Sequence, residues 1–337
     1  MTRSIPEFLS KCGWGNAQRA ALAGDASNRR YERLTRKNDR AVLMDAPPDK
    51  NEGIRPFIYI AQHLTALGLS APQIMASDPQ HGFLLLEDLG DDLFARLLLQ
   101  HPEQEASLYQ AATDVLLALH QAPLPTGLSC YTPELMAGLG TLAIDWYAHQ
   151  GPPDPQNPDH RALRGALEEA LSRHAADCSV LIQRDYHSEN LLWLPDRTGP
   201  AQVGLLDFQD AMLGHPAYDL VSLLTDARRD VTPQTQTTAL DYYITRSNQP
   251  DAPFRTAFAT LSVQRNLRIL GVFARLSLHS GKPHYIDLIP RVWTHLQAGL
   301  AHPDLTALRL IIKHSLPAPT PQLLQGLKDK CGTIPTR

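Results

Sequence analysis

The sequence predicts an α+β chain of two lobes, a small antiparallel β-sheet lobe followed by a larger, mostly helical one. Three observations carry this expectation. A length of 337 residues suits roughly two domains or one large two-lobed unit. Residues 20–90 hold short β-rich runs broken by turn signals. From about residue 91 apolar residues recur at helical spacing. The lobes are accordingly placed at 1–90 and 91–337.

In chain order, strands are expected at Tyr31–Leu34, Arg40–Met44, Gln73–Ala76 and Phe83–Leu86. Between them, FIYIAQHLTAL (57–67) has the helical period and stops at Gly68, a suitable C-cap. The junction falls after LLLEDLG, near Glu87–Asp92. Helices are expected near 104–121, 133–149, 160–175, 216–229, 252–279 and 285–300. Asn190–Leu194 and Gln202–Phe208 interrupt them as short strands. The Pro-rich GPPDPQNPD (151–159) reads as a loop within the helical lobe, because helical texture continues on both sides.

Composition narrows the function classes. The chain carries 31 Lys+Arg against 35 Asp+Glu, a formal net charge of −4. That balance argues against a general nucleic-acid coat, which needs a basic excess. Its apolar runs are far shorter than the roughly 18 residues of a membrane span. The N-terminus has no apolar core of a signal peptide. The four cysteines, Cys12, Cys130, Cys178 and Cys331, form no CxxC pair and read as reduced, packing or incidental thiols. A cytoplasmic protein with no membrane, nucleic-acid or obligate protein partner is the expectation. Only seven of the basic residues are Lys, and none lies between Lys50 and Lys282. Chemistry in that interval must manage without an ammonium group.

The informative segment is VLIQRDYHSENLLWL (180–194). Asp185 precedes Asn190 by five positions, and Asp207 closes the apolar stretch VGLLDF. A carboxylate, an amide and a second carboxylate on adjacent strand–loop elements match what phosphoryl transfer from ATP requires. One Asp orients or deprotonates the acceptor hydroxyl, while the Asn and the second Asp hold Mg²⁺ over the phosphates. Oxygen donors suit that hard ion.

QRDYHSEN resembles the catalytic loop of the protein-kinase-like phosphotransferases, and its D-x-H-x-x-N pattern resembles the aminoglycoside/choline phosphotransferase branch. LLDFQDAMLGHPAYDLVSLL is similar to that branch's metal-binding segment. GDASNRRYERL, VLMDAPPD, LLLEDLGDD, QRNLRILGVFARL and GKPHYIDLIPRVW resemble the anomeric sugar kinases of cell-wall recycling, which phosphorylate the C1 hydroxyl of N-acetylmuramate and N-acetylglucosamine. The resemblance spans about residues 20–300. It implies a protein-kinase-like two-lobed fold using ATP and Mg²⁺ on a small-molecule sugar.

Residue by residue, the resemblance implies Asp185 as catalytic base, Asn190 and Asp207 as magnesium ligands, and Asp219 as a buried brace of the catalytic loop. The Gly24–Asn28 turn would cover the phosphates, with Ser27 and Asn28 as donors, and adenine would meet the backbone near Glu87 and Leu89. The same resemblance puts Met44 where most kinases carry a third-strand Lys. Arg29, Arg30 and Arg33 are the nearby cations. Alternation places Arg30 on the face opposite the other two, and Arg30 is the expected phosphate contact.

For the acceptor, the candidates are His187, Asp210, Arg265 and Arg268. The last two share a helical face and form a possible fork for a carboxylate. Trp146 and Tyr147 are either a ring against a sugar or core. His174, His279 and His295 show no ligand spacing. Two other readings stay open: a choline, ethanolamine or aminoglycoside kinase of the same fold, and a nucleotide-binding pseudokinase.

Overall fold

The computed structural model describes residues 3–22, 29–48 and 53–335. In chain order it contains α1 (Ile5–Lys11), β1 (Gln18–Leu22), β2 (Arg30–Arg36), β3 (Asp39–Asp45), α2 (Arg55–Ala66), β4 (Ile74–Asp78), β5 (Phe83–Glu87), α3 (Phe94–Gln100) and α4 (Glu105–Gln121). There follow α5 (Pro133–Gly140), α6 (Pro158–His174), β6 (Val180–Ile182), β7 (Leu191–Trp193), β8 (Val203–Leu205) and β9 (Met212–Gly214). The remainder is helical: α7 (Ala217–Leu224), α8 (Pro233–Ser247), α9 (Asp251–Leu278), α10 (Ile289–Leu300), α11 (Thr306–Ser315) and α12 (Pro321–Asp329).

These elements form two compact units, Met1–Pro125 with Ser188–Ala211 and Thr126–His187 with Met212–Arg337. Residues 91–125 and the β7–β8 hairpin, expected in the helical lobe, group with the sheet. The chain passes between units inside the QRDYHSEN segment.

The first unit is built on an antiparallel sheet of order β1-β2-β3-β5-β4. The expected strands form, and β1 adds an edge. Its sequence QRAAL is almost wholly exposed and lacks β-branched residues, so it carries no strand signal of its own. Alternation sorts the sheet into two faces. Leu34, Ala41, Leu43, Phe83 and Leu85 pack with Phe8 and Leu9 of α1 and with Trp14. On the other face, cross-strand pairing aligns Tyr31 with Met44 and Leu84, and Arg33 with Val42 and Leu86. Helix α2 ends as expected: Gly68 is left-handed (φ 77°), and Leu69 N–H closes onto Leu64 O at 3.0 Å.

The second unit is organised around α9, 28 residues long and buried on most of its circumference. Gly271 lets α9 approach the backbone of Leu142, whose carbonyl carbon would lie 2.2 Å from a Cβ at this position. That contact accompanies a break in the expected 133–149 helix, which becomes α5 and a π-helical turn at Ala143–Ala148. Trp146 and Tyr147 in that turn are 2% and 0% exposed, so they are core side chains. The Pro-rich loop caps α6, with Asn157 Oδ1 accepting from Asp159 N at 2.8 Å. Helix α8 was not anticipated, because its N-terminal half, PQTQTT, is polar and aperiodic.

The cysteine expectation is corrected here. Cys130 and Cys178 are disulfide-bonded, with Cα atoms 5.8 Å apart across 48 residues of sequence. The segment at Cys130 bridges Leu213 of β9, and β6, two residues past Cys178, pairs with the opposite edge of the same strand. A tertiary strand order, invisible in the spacing, brings the thiols together. Cys12 and Cys331 are free.

Candidate active site

In the sheet-bearing unit, the β7–β8 hairpin aligns Leu191 with Leu205 and Trp193 with Val203. Just beyond that ladder Leu206 N–H donates to Asn190 O at 3.0 Å. Asp207 therefore follows the residue bonded to Asn190. Gly204 permits close packing beneath the hairpin: a Cβ there would lie 3.0 Å from Leu192 Cβ and 3.2 Å from Leu89 Cδ1. Asp207 is left-handed (φ 56°), a conformation that non-glycine residues hold at a cost and that recurs at functional positions. Phe208 anchors the strained turn against Phe57, with ring centroids 4.9 Å apart.

The Asp207 carboxylate is about half exposed, at 48%. Its Oδ1 accepts from Gln209 Nε2 at 2.7 Å, and Arg29 Nη1 stands 3.9 Å away. Burial pushes the Tyr31 hydroxyl up to about 12, against the opposing pull of Arg29. Sequence reasoning did not single out this Arg29–Asp207 proximity or Gln209.

In the helical unit, the loop after β6 is held by Asp219, which is fully buried. Its Oδ2 accepts from Gln183 N at 2.6 Å and its Oδ1 from Arg184 N at 2.9 Å. Burial raises the Asp219 carboxyl to about 7, although both backbone donors and Arg265 pull it down. Arg184 is left-handed (φ 72°), and its guanidinium lies over the Tyr131 ring at 5.2 Å.

Asp185 follows, and Arg265 from α9 serves it twice. Arg265 Nη1 donates to Arg184 O at 2.8 Å, and Nη2 lies 3.7 Å from Asp185 Oδ1. Burial alone would raise the Asp185 carboxyl. Arg265, Arg268, His187 and Arg184 outweigh it and hold the group below its usual value. The carboxylate is thus ionised at neutral pH and able to accept a hydroxyl hydrogen bond.

The acceptor candidates divide. Arg265 is 4% exposed and engaged with the loop at Arg184 and Asp185, so the fork expected from Arg265 and Arg268 is reduced to the half-buried Arg268. Tyr218 and Tyr131 stack edge to face at 5.2 Å within this cationic cluster. Burial would raise the Tyr218 hydroxyl, but Arg265 and Arg268 more than offset it and pull it below its ordinary value. His187 is 6% exposed. Burial lowers it to about 4 despite Asp226 nearby, which makes it a neutral packing group in the loop. Asp210 is exposed in the sheet-bearing unit.

The nucleotide candidates also divide. Gly24, Ser27 and Asn28 lie outside the described residues. Arg30 pairs across the ladder with Asp45, itself opposite Phe83. It therefore stands on the α1 face, exposed, away from Met44. Arg33 is taken up by Asp88 and Asp91 at 2.7 Å each. Glu87 Oε1 is bound by Arg197 Nη2 at 2.5 Å, and its Oε2 accepts from Gln73 N at 3.2 Å, so its side chain braces the end of β5. Leu89 packs on Gly204.

Among the described residues, no group of three or more His, Cys, Asp or Glu side chains could hold a metal unaided. A pair such as Asn190 and Asp207 fits Mg²⁺ nonetheless, because this ion is commonly bound by one or two protein oxygens, waters and substrate phosphates. No helix among the described residues is long and apolar enough to cross a membrane.

Comparison with known proteins sharpens the picture. The family model described as "Phosphotransferase enzyme family" matches residues 19–258. An N-acetylmuramate/N-acetylglucosamine kinase of Caulobacter vibrioides is 38% identical, over 93% of this chain and 96% of that protein. A protein of the same name from Pseudomonas aeruginosa is 32% identical over 90% and 91%. Among solved structures, a choline kinase from Streptococcus pneumoniae superposes with a TM-score of 0.61 at 15% identity, covering 87% of this chain and 98% of that one. A microcompartment-associated aminopropanol kinase gives 0.61 at 16%, covering 91% and 100%. At such identities these structures speak for the fold alone.

Proposed function

The chain belongs to the phosphotransferase enzyme family, and on that footing we propose that it transfers the γ-phosphoryl group of ATP to the anomeric hydroxyl of N-acetylmuramate or N-acetylglucosamine. The observation that carries the reading is the ionised Asp185 carboxylate, set by Arg265 on a loop that Asp219 locks. The acceptor class rests on the full-length likeness to the Caulobacter and Pseudomonas enzymes.

Asp185 accepts the hydrogen bond of the acceptor hydroxyl and aims its oxygen at the γ-phosphorus. As the new O–P bond forms and the bond to the β-bridging oxygen breaks, the hydroxyl proton passes to Asp185 and ADP departs. A carboxylate with a depressed pKa is a weak base. It suits a loose transition state, in which orientation matters more than early deprotonation. Asn190 and Asp207 would hold Mg²⁺, which supplies charge neutralisation at the phosphates.

The cationic surroundings of Asp185, with Arg184, Arg265 and Arg268 in one cluster, disfavour the positively charged acceptors of choline and aminoglycoside kinases. A coupled ADP-release assay with N-acetylmuramate, N-acetylglucosamine, choline and kanamycin tests the proposal. Turnover with the two amino sugars supports it. Turnover with choline or kanamycin alone would replace the acceptor, and ATP binding without turnover on any acceptor would favour a pseudokinase.

A further inference from the structure

The two acceptors proposed above differ by one group. N-acetylmuramate is N-acetylglucosamine with a lactyl ether on a ring hydroxyl, and it brings a carboxylate that the other sugar lacks. Both present the same anomeric hydroxyl. Discrimination between them therefore falls to charges near Asp185 that the transfer step does not use.

Helix α9 supplies such charges. Arg265 is engaged by the loop after β6, at Arg184 O and Asp185, and its guanidinium lies over the Tyr218 ring at 5.8 Å. Arg268 follows three residues later, and Arg275 stands seven beyond it, within about 20° of Arg268 round the helix. Both are half-buried. Burial would lower the Arg268 guanidinium, but Tyr218, Tyr131 and Asp185 outweigh it and hold it above its ordinary value. Arg275 is pulled down by burial and by Arg268 itself. Among the described residues, neither Arg268 nor Arg275 is within ion-pair distance of a carboxylate.

The local charge is unbalanced. Asp185 faces the guanidiniums of Arg265, Arg268 and Arg184. His187, lowered to about 4, is neutral at pH 7. Asp219 is raised to about 7 and already accepts from Gln183 N and Arg184 N, so it adds only part of a charge. Like charges held half out of water are unfavourable until an anion joins them. The neighbours of Arg268 are firm: Tyr131 and Tyr218 stack edge to face at 5.2 Å, and Tyr131 adjoins the Cys130–Cys178 bond.

We infer that Arg268, backed by Arg275, is a specificity-determining residue that pairs with the carboxylate of N-acetylmuramate and favours this sugar over N-acetylglucosamine. The inference rests on the amino-sugar reading above. Arg268 lies about 4.5 Å along α9 from Arg265, and Arg265 marks the place of Asp185. A pyranose ring sets its anomeric oxygen apart from its lactyl group by a comparable span. A planar guanidinium also matches a carboxylate in bidentate fashion.

The test compares kcat/KM for the two sugars in the wild type, Arg268→Met and Arg275→Met. Titration calorimetry adds the binding of N-acetylmuramate and of its neutral carboxamide. The wild type should prefer N-acetylmuramate and bind it about 10- to 100-fold more tightly than the carboxamide. In Arg268→Met the preference should fall by about the same factor. Any effect of Arg268 on Asp185 is common to both sugars and cancels in the ratio. Arg275→Met should lose less, about two- to fivefold, and Arg268→Lys should retain part of the preference. A ratio in Arg268→Met within twofold of the wild type would overturn the inference. So would equal losses for both sugars, which would mark a contact with the transferred phosphoryl group or a structural role. The carboxamide comparison needs only the wild type and stands if Arg268→Met fails to fold; equal binding of acid and amide overturns the inference there. A wild type that phosphorylates N-acetylglucosamine and discriminates against N-acetylmuramate would sink this inference alone. One that phosphorylates neither would remove the acceptor reading and this inference with it.

Discussion

Asp219 Oδ1 accepts the backbone N–H of Arg184 at 2.9 Å, at the left-handed residue that immediately precedes Asp185. One buried carboxylate thereby holds the backbone that carries Asp185. Asp219→Ala leaves two N–H donors unsatisfied, the buried one of Gln183 and the part-buried one of Arg184, at about 1–3 kcal/mol for a buried donor. We expect urea unfolding to show a loss on the order of 3 kcal/mol, with kcat falling further than KM rises. Unchanged stability would contradict the bracing role.

Arg265 is a positioning residue for Asp185. Arg265→Lys keeps a charge but cannot make both contacts from one ammonium group. We expect kcat to drop about 10- to 100-fold with little change in KM. Removing the neighbouring cation also raises the Asp185 pKa, so the acid limb of the kcat profile should move to higher pH in Arg265→Met. A profile that stays in place would show that Arg265 does not act through Asp185.

Two histidines, His187 buried and His215 half-buried, set an acid limit on stability. Burial lowers both His187 and His215 from 6.5 to about 4. His187 faces Asp226, Arg228, Asp185 and Arg265. His215 Nδ1 accepts from Ala217 N at 3.1 Å, a bond that protonation at Nδ1 abolishes. Between these values the unfolded chain binds more protons than the folded one. The stabilisation is therefore present above about 6.5 and is lost as pH falls toward 4. Each residue should contribute on the order of 1–3 kcal/mol to that loss. Melting temperatures followed from pH 7 to 4.5 should decline, and His215→Asn should flatten part of the slope.

The Cys130–Cys178 bond closes a loop of 48 residues, for which loop-closure entropy gives up to about 4 kcal/mol. Peptide mapping under non-reducing conditions should recover the 130–178 link. Reductant should lower the melting temperature of the wild type and leave the double serine variant unaffected. Free thiols at both positions in the oxidised protein would refute the pairing.

Much was legible in the sequence, and for local reasons. Gly68 announces the end of α2 because a left-handed C-cap needs the smallest residue. Asp185, Asn190 and Asp207 stand out because their types and spacing answer one chemical demand. Strand β1 was not legible, since an exposed edge has no burial pattern to print. The opening of the 133–149 helix into a π turn went unseen as well, because it lies where α9 presses on Leu142 from more than a hundred residues away.

The sequence by itself determined the family, the two-lobed α+β class and the residue types available for phosphoryl transfer, because each is written in short-range spacing. Tertiary structure decided how the charges are shared out. Alternation along β2 separated Arg30 from Arg29 and Arg33, but only the packing of α1 on the Leu34–Leu43 face showed which side was occupied. Arg265 and Arg268 look equivalent on a helical wheel. Only the approach of the loop after β6 to α9 commits Arg265 to Asp185. Lysine's absence from positions 51–281 is plain in the composition. Which side chains stand beside Asp207, Gln209 and Arg29 among them, is decided by the fold, and spacing along a chain does not encode proximity across it.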